Sequence, residues 1–335
     1  MDLANKTSSS DWRGGLKQTP HHRSSWMNRE ATAMICALGA GPRDPADIIE
    51  DIGIDESTRD RLTSLLQARS LIESVGDQLR LHPSLDYDHV GLTRVLPTGY
   101  RVIYLEETAS TNHIARTLEP VGTDRLSIVI AGMQTGGRGR HNRRWRSPPG
   151  GIWMSVVDHS TRQPPSAWID QLAMSVAVTD VTSILGVESQ LKWPNDVVIP
   201  EAGKLAGVLV EATSAGGELQ QTVCGLGFNV AVAPVDLPRV ATSLRVHLGA
   251  ISPVALVGYL IQSYKTRRES PSATIADWRS RSHTLGRSVR IETPDGTIDG
   301  LATNLTMSGA LVLETDAGEK TVNPEACRRL RYRSG

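Results

Sequence analysis

The chain has 335 residues, enough for two or three domains at the usual size of about 100–200 residues each. Thirty-six Lys and Arg balance 36 Asp and Glu, so net charge by itself argues for no nucleic-acid or membrane partner. Hydrophobic residues (39%) and charged ones (21%) are in ordinary proportion for a soluble globular protein, and a single Phe, Phe228, beside seven Trp and six Tyr predicts a mainly aliphatic core.

No run approaches the roughly 18 uninterrupted apolar residues of a membrane helix. The polar N-terminus lacks the apolar stretch of a signal peptide, so a cytoplasmic protein is expected. Cys36, Cys224 and Cys327 lie far apart without Cys-x-x-Cys spacing. Each reads as a small buried hydrophobe, and no metal site is expected.

Residues 1–26, with Ser8-Ser9-Ser10 and His21-His22, read as a flexible tail. From 27 to 92 the pattern is that of a small domain. A helix over Arg29–Leu38 ends at Gly39-Ala40-Gly41-Pro42, and Pro45 opens a second with Ile48, Ile49 and Ile52 on one face. Ser57 or Thr58 caps a third carrying Leu62, Leu65 and Leu66. Ile72–Val75 and Gln78–Leu81 around Gly76-Asp77 form a hairpin. Three helices and a hairpin are the order of a winged helix-turn-helix. Pro83–Pro97 reads as a connector.

Residues 98–284 interleave strands (Val102–Leu105, Ser127–Ala131, Ile152–Val157, Val208–Ala212, Val223–Leu226) with helices (Thr111–Leu118, Trp168–Leu185, Val254–Arg268), a central mixed-sheet α/β domain. Residues 285–335 carry short strands split by Asp295-Gly296, Ser308-Gly309 and Ala317-Gly318, the pattern of a small β-barrel. The predicted class is α+β.

Five segments carry chemistry. Gly136-Gly137-Arg138-Gly139-Arg140-His141-Asn142-Arg143-Arg144-Trp145-Arg146 packs five arginines into nine residues, which repel one another unless an anion neutralises them. Its glycines let backbone approach a ligand, and Trp145 offers a flat surface for a base, so a nucleotide fits, as does an RNA-binding Arg-Gly segment. It is not a P-loop, because no Gly-Lys-Ser/Thr follows. Lys192-Trp193-Pro194-Asn195-Asp196 places a lysine at a strand end beside a rigid turn, followed by Lys204-Leu205-Ala206-Gly207-Val208-Leu209-Val210-Glu211. Gly225-Leu226-Gly227-Phe228-Asn229 makes another glycine-rich strand end. Ser110-Thr111-Asn112 ends a strand and can cap the next helix.

In this order, and with Gln134 ahead of the arginine loop, these segments resemble the biotin–protein ligase family over about Tyr100–Leu330. The resemblance implies a central α/β ligase domain, a C-terminal SH3-like barrel and, in some members, an N-terminal winged helix. It implies that Ser110, Thr111, Asn112 and Gln134 surround the biotin ring system, with Arg138, Gly139 and Arg140 along the valerate and phosphate. Gly137, Arg143 and Trp145 would close over the nucleotide, Asn229 would contact the adenylate, and Arg329, chosen over Arg328 and Arg331 by spacing from Glu325, would reach ATP. Lys192 and Arg140 would be catalytic, Lys192 meeting the biotin carboxylate and the α-phosphate. Where many members have Gly, this chain has Asn142, the non-glycine residue best suited to a left-handed conformation, so the loop is expected to keep its shape.

The implied reaction joins biotin and Mg2+-ATP into biotinyl-5′-AMP and passes biotin to a lysine of a biotin carboxyl carrier protein. Lipoate–protein ligase and a non-catalytic biotin-responsive DNA-binding regulator are the rival readings. The Arg-Gly-Arg loop with Lys-Trp-Pro-Asn-Asp favours biotin, and Lys192–Asp196 followed by Lys204–Glu211 excludes a general RNA-binding module. Between Glu30 and Val90, twelve acidic side chains outnumber five basic ones (Arg43, Arg59, Arg61, Arg69, Arg80), which argues against a DNA operator partner. The sequence leaves a homodimer open.

Overall fold

Asn28 accepts the Ala31 N–H at 2.9 Å and starts α1 (Arg29–Ala37), whose last turn tightens into a 3-10 turn at Leu38–Ala40. The computed structural model describes residues 28–82, 85–96, 100–119, 126–159 and 166–333, so the expected tail over 1–26 lies outside the described residues. Pro45 opens α2 (Pro45–Ile52), closed by Gly53 at φ 67°. The cap of α3 (Glu56–Ala68) is Asp55 rather than Ser57 or Thr58. Asp55 has the extended backbone of a capping residue, and its carboxylate takes both the Thr58 N–H at 2.7 Å and the Ser57 hydroxyl at 2.8 Å.

The hairpin of β1 (Ile72–Val75) and β2 (Gln78–Leu81) has the expected bounds. Within the predicted connector lies a helix, α4 (His89–Val95), capped by Asp88 and burying Leu92 and Val95. Its apolar period, a single short turn, was too brief to read against the flanking prolines.

The next stretch contains β3 (Arg101–Thr108), α5 (Thr111–Arg116), β4 (Ser127–Gln134), β5 (Ile152–Asp158) and α6 (Ser166–Ile184). After them come β6 (Gln190–Lys192), β7 (Asp196–Ile199), β8 (Gly203–Ala215) and β9 (Glu218–Phe228). The strands form one seven-stranded sheet in the order β3-β4-β5-β9-β8-β7-β6. Only β3 and β4 are parallel, joined through the crossover helix α5, so the sheet is mixed. Then follow α7 (Leu244–Leu248), α8 (Pro253–Glu269) and α9 (Pro271–Ser280), of which α7 and α9 were not anticipated.

Alternation along the strands sends side chains to both faces. Ile128, Ile130, Met154 and Val156 join the main core with α6 and α8, while Val129, Val157 and Val223 pack with Ala115 of α5 on the other side. α6 is buried on nearly every side because it is sandwiched between the sheet and α8, and the polar side chains it carries there are paired. α1 and α4 pack against α8, and residues of the N-terminal helices belong to the same buried cluster as the sheet.

Five further strands complete the chain: β10 (Ser288–Thr293), β11 (Gly296–Leu305), β12 (Leu311–Thr315), β13 (Gly318–Val322) and β14 (Arg329–Tyr332). They form an antiparallel sheet in the order β13-β12-β11-β10-β14. β14 was missed because its sequence, Arg329-Leu330-Arg331-Tyr332, buries little beyond Leu330. This sheet is anchored to the rest by Trp193 Nε1 donating to Gly309 O and Trp168 Nε1 to Glu325, both at 3.0 Å. The architecture is α+β, with a central mixed sheet and a C-terminal β-rich domain. Among the described residues no helix is long and apolar enough to cross a membrane.

Candidate active site

A cleft of about 1000 Å³ lies where α5, the arginine loop, the β6–β7 turn, β8, β9 and the segment before β14 converge. Ser110, Thr111, Asn112, Gln134, Arg138, Gly139, Arg140, Arg143, Trp145, Lys192, Asn229 and Arg329 all line it. Of the C-terminal arginines, Arg328 also lines the cleft, whereas Arg331 points to Glu292 at 3.6 Å.

One wall starts at α5. Ser110 occupies the N-cap position but its side chain makes no capping hydrogen bond. Gln134 does this work, its Oε1 accepting the Thr111 N–H at 2.8 Å while its Nε2 donates to Ser147 Oγ at 2.8 Å. Asn112 is held at both ends of its amide: Nδ2 donates to Glu211 at 2.7 Å, and Oδ1 lies 2.6 Å from Ser155 Oγ. Glu211 also meets Arg116 at 3.3 Å. Asn112 therefore shapes the wall through β5 and β8, its polar atoms already engaged. Ser155 and Ser147 escaped the sequence reading; the signal for Ser155 was a hydroxyl inside the apolar run Ile152–Val157, which needs a partner when buried.

The floor is glycine. A Cβ on Gly225 would come within 2.2 Å of Asn112 Oδ1, and one on Gly227 within 2.4 Å of Trp145 Nε1. Gly207 pairs with Gly227 across β8 and β9, so the Trp145 indole lies on two opposed glycines. Lys204 Nζ sits 4.7 Å from the centre of the indole ring, and Trp145 Nε1 is buried with no hydrogen-bond partner among the described residues.

The arginine loop runs out and back as a ribbon, Arg138 bridging Arg144 and Gln134 bridging Ser147. It turns at His141 (φ 54°) and Asn142 (φ 57°), both left-handed. Gly137 does not line the cleft. It is enclosed by Trp145 O and Ser147 Oγ, 2.7 and 2.8 Å from where a Cβ would be, so only glycine lets the ribbon close there. Arg140 donates to the carbonyls of Pro324 and Cys327, His141 Nε2 lies 2.9 Å from Cys327 O, and Arg143 donates to Arg328 O at 2.7 Å.

Lys192 stands on the opposite wall. Besides the Trp193 Nε1 bond to Gly309 O, the Trp193-Pro194-Asn195 turn behind it is pinned by Gln171 Nε2 to Pro194 O (2.6 Å), Asn195 Nδ2 to Val208 O (2.8 Å), Val208 N to Asn195 O (2.9 Å) and Trp193 N to Thr284 Oγ1 (3.0 Å). Asn229 is buried and donates to Thr242 O at 3.0 Å, tying the end of β9 to the segment before α7. Ten Lys and Arg side chains line the cleft against two acidic ones, and both acids are already paired, Asp196 with Lys204 at 2.6 Å and Glu211 with Arg116. The remaining positive charge favours an anionic ligand.

Residues 104–229 match the Biotin/lipoate A/B protein ligase family, and residues 284–323 match the Biotin protein ligase C terminal domain. The chain is 35% identical over 263 residues to the Biotin--[acetyl-CoA-carboxylase] ligase of Mycobacterium tuberculosis, covering 73% of this chain and 95% of that protein. It is 30% identical over 240 residues to the Bifunctional ligase/repressor BirA of Bacillus subtilis, covering 67% and 72% respectively. A solved biotin protein ligase from Aquifex aeolicus in complex with biotin and ATP shares the fold, with a TM-score of 0.58 and 24% identity over 70% of this chain and 99% of that one. The chain belongs to the biotin protein ligase family.

Proposed function

We propose that this ATP-dependent ligase condenses biotin with ATP in the cleft and then biotinylates a lysine of a carboxylase's carrier protein. The observation that carries the reading is the cleft's surplus of cations, since both of its acids are spent on neighbours. A biotin carboxylate oxygen attacks the α-phosphorus, the α–β anhydride bond breaks, and pyrophosphate leaves with its electron pair. The amine of the carrier lysine then attacks the acyl carbon, AMP leaves, and the amine gives up a proton. The first step drives two anions together, so alignment and positive charge do most of the work.

In this reading Ser110, Thr111, Gln134, Arg138 and Gly139 enclose biotin, with Asn112 fixing the wall behind it. Arg143, Trp145, Asn229 and Arg329 hold the adenylate, and Lys192 and Arg140 supply charge at the reacting atoms. Arg140 and Arg143 must exchange their carbonyl partners for phosphate oxygens to do so. Among the described residues no three His, Cys, Asp or Glu gather into a metal site. Magnesium is read as part of the MgATP substrate, which it joins through phosphate oxygens.

Residues 27–92 form a winged-helix-like domain, 98–284 the ligase domain and 285–335 an SH3-like one. The winged helix serves as a packed buttress rather than an operator reader. The test of the reading is biotin-dependent exchange of pyrophosphate into ATP by the purified chain. Biotin should drive it, and exchange driven by lipoate but not by biotin would overturn the proposal.

A further inference from the structure

Lys192 ends β6 on a flexible four-carbon stem, and such a side chain must be ordered before its charge can act. An acidic partner would order it but cancel the charge it brings. Asp196, its cross-strand neighbour, is taken by Lys204 at 2.6 Å. Lys192 Nζ lies instead 5.1 Å from the centre of the Tyr332 ring on β14. A π face attracts an ammonium through its quadrupole and leaves the charge intact.

The ring itself is held. It meets His283 edge-on, with centroids 5.2 Å apart and planes at 84°. Its hydroxyl is 3.4 Å from Thr284 Oγ1, the atom that accepts the N–H of Trp193 next to Lys192. Arg287 lies 5.3 Å from the same ring. His283 does not add a third charge: burial, then Arg287 and Lys192, hold its pKa below the usual imidazole value, and its Nδ1 is 2.7 Å from Gln190 Oε1. Tyr332 is not itself among the residues lining the cleft.

We propose that Tyr332 is a positioning residue for adenylation, its ring holding the Lys192 ammonium at the cleft wall with its charge uncancelled. The C-terminal strand thereby takes part in the first half-reaction. The inference rests on Lys192 acting at the biotin carboxylate and α-phosphate.

The experiment compares Tyr332→Leu, Tyr332→Gln and Tyr332→Phe with Lys192→Ala, all in the full chain. Two readouts are taken: pyrophosphate-exchange kinetics, and carbon NMR of protein labelled at the lysine ε-carbon. The chain has only six lysines, and the Lys192 signal is the one missing from Lys192→Ala. Both non-aromatic variants should lower kcat about tenfold with little change in the KM for biotin, and Tyr332→Phe should restore the rate. The Lys192 signal should carry a ring-current shift that survives in Tyr332→Phe and vanishes in the other two. Tyr332→Gln suits the half-buried position and stands in if Tyr332→Leu fails to fold. If Lys192→Ala abolishes exchange while the non-aromatic variants keep kcat, or if the Lys192 signal ignores Tyr332, the inference falls and the role of Lys192 stands. If Lys192→Ala leaves exchange intact, the reading of Lys192 falls and takes the inference with it.

Discussion

At the scale of single residues, the cleft separates side chains that hold from side chains with charge to spend. Lys192 follows β6 into a turn fastened from α6, β8 and Thr284, so its backbone is fixed while its side chain lines the cleft. Lys192→Ala should lower biotinyl-adenylate synthesis at least about a hundredfold, the scale of losing one preorganised electrostatic group. Near-normal pyrophosphate exchange by a folded variant would remove that role. Arg140 is different, because its guanidinium rests on the carbonyls of Pro324 and Cys327. Burial lowers its pKa, and burial also pushes the Cys327 thiol up to about 11, so at neutral pH Arg140 has no thiolate beside it and can be drawn off by a phosphate. Arg140→Gly should loosen the loop and release biotinyl-adenylate. Biotin labelling of a bystander such as albumin should rise several-fold; unchanged labelling with unchanged adenylate dissociation would mean that the loop is no lid.

Among the elements, the helical layer beneath the sheet is tied by charge as well as by packing. Asp180 of α6 receives Arg267 of α8 at 2.8 Å, Arg281 after α9 at 2.6 Å and Ser263 at 2.6 Å. Burial alone would raise the Asp180 pKa, but the Arg267 hydrogen bonds and the charges of Arg281 and Arg267 outweigh it and hold the pKa below the ordinary carboxylate value. A depressed pKa contributes stability above the unfolded-state value and loses it as pH falls through the folded one. Asp180→Asn should therefore cost about 3 kcal/mol at neutral pH, the scale of breaking a buried pair from one side. The Tm gap between wild type and variant should close in acid, below the ordinary carboxylate pKa of 3.8. A gap that stays constant from neutral to acid pH would show that the carboxylate charge contributes nothing.

For the whole molecule, the question is what the N-terminal helices are for. Their charge runs against DNA, and the structure uses up much of the positive charge that remains. Arg43 pairs with Asp51 at 2.5 Å, Arg59 with Asp60 at 2.7 Å and Arg80 with Glu73 at 2.5 Å. Phosphate contacts supply most non-specific affinity for DNA, and an arginine already paired contributes less of it. α1 and α4 meanwhile pack on α8 and share its core. An anisotropy titration against the chain's own biotin-operon promoter at about 0.1 M salt, with biotin and ATP present, should show no specific binding at nanomolar protein. Salt-sensitive, sequence-specific binding there would restore a repressor role.

What the sequence determined by itself was local. Hydrophobic period and turn residues placed the hairpin at Ile72–Leu81, the long buried helix near Trp168 and the short C-terminal strands, because these depend on neighbours a few residues away. Ordered motifs likewise named most of the residues that line the cleft. Only the tertiary structure decided which of their atoms are available. Asn112 was named by its motif, but its partners Ser155 and Glu211, 43 and 99 residues away in the chain, are set by how β5 and β8 meet α5. The need for glycine at 137 likewise comes from Ser147 and Trp145, which close around it in the folded ribbon. The partner of Lys192 lies on a strand too polar to be recognised. A hydrogen bond or a cation–π contact is set by where distant segments meet, and no spacing along the chain encodes that meeting.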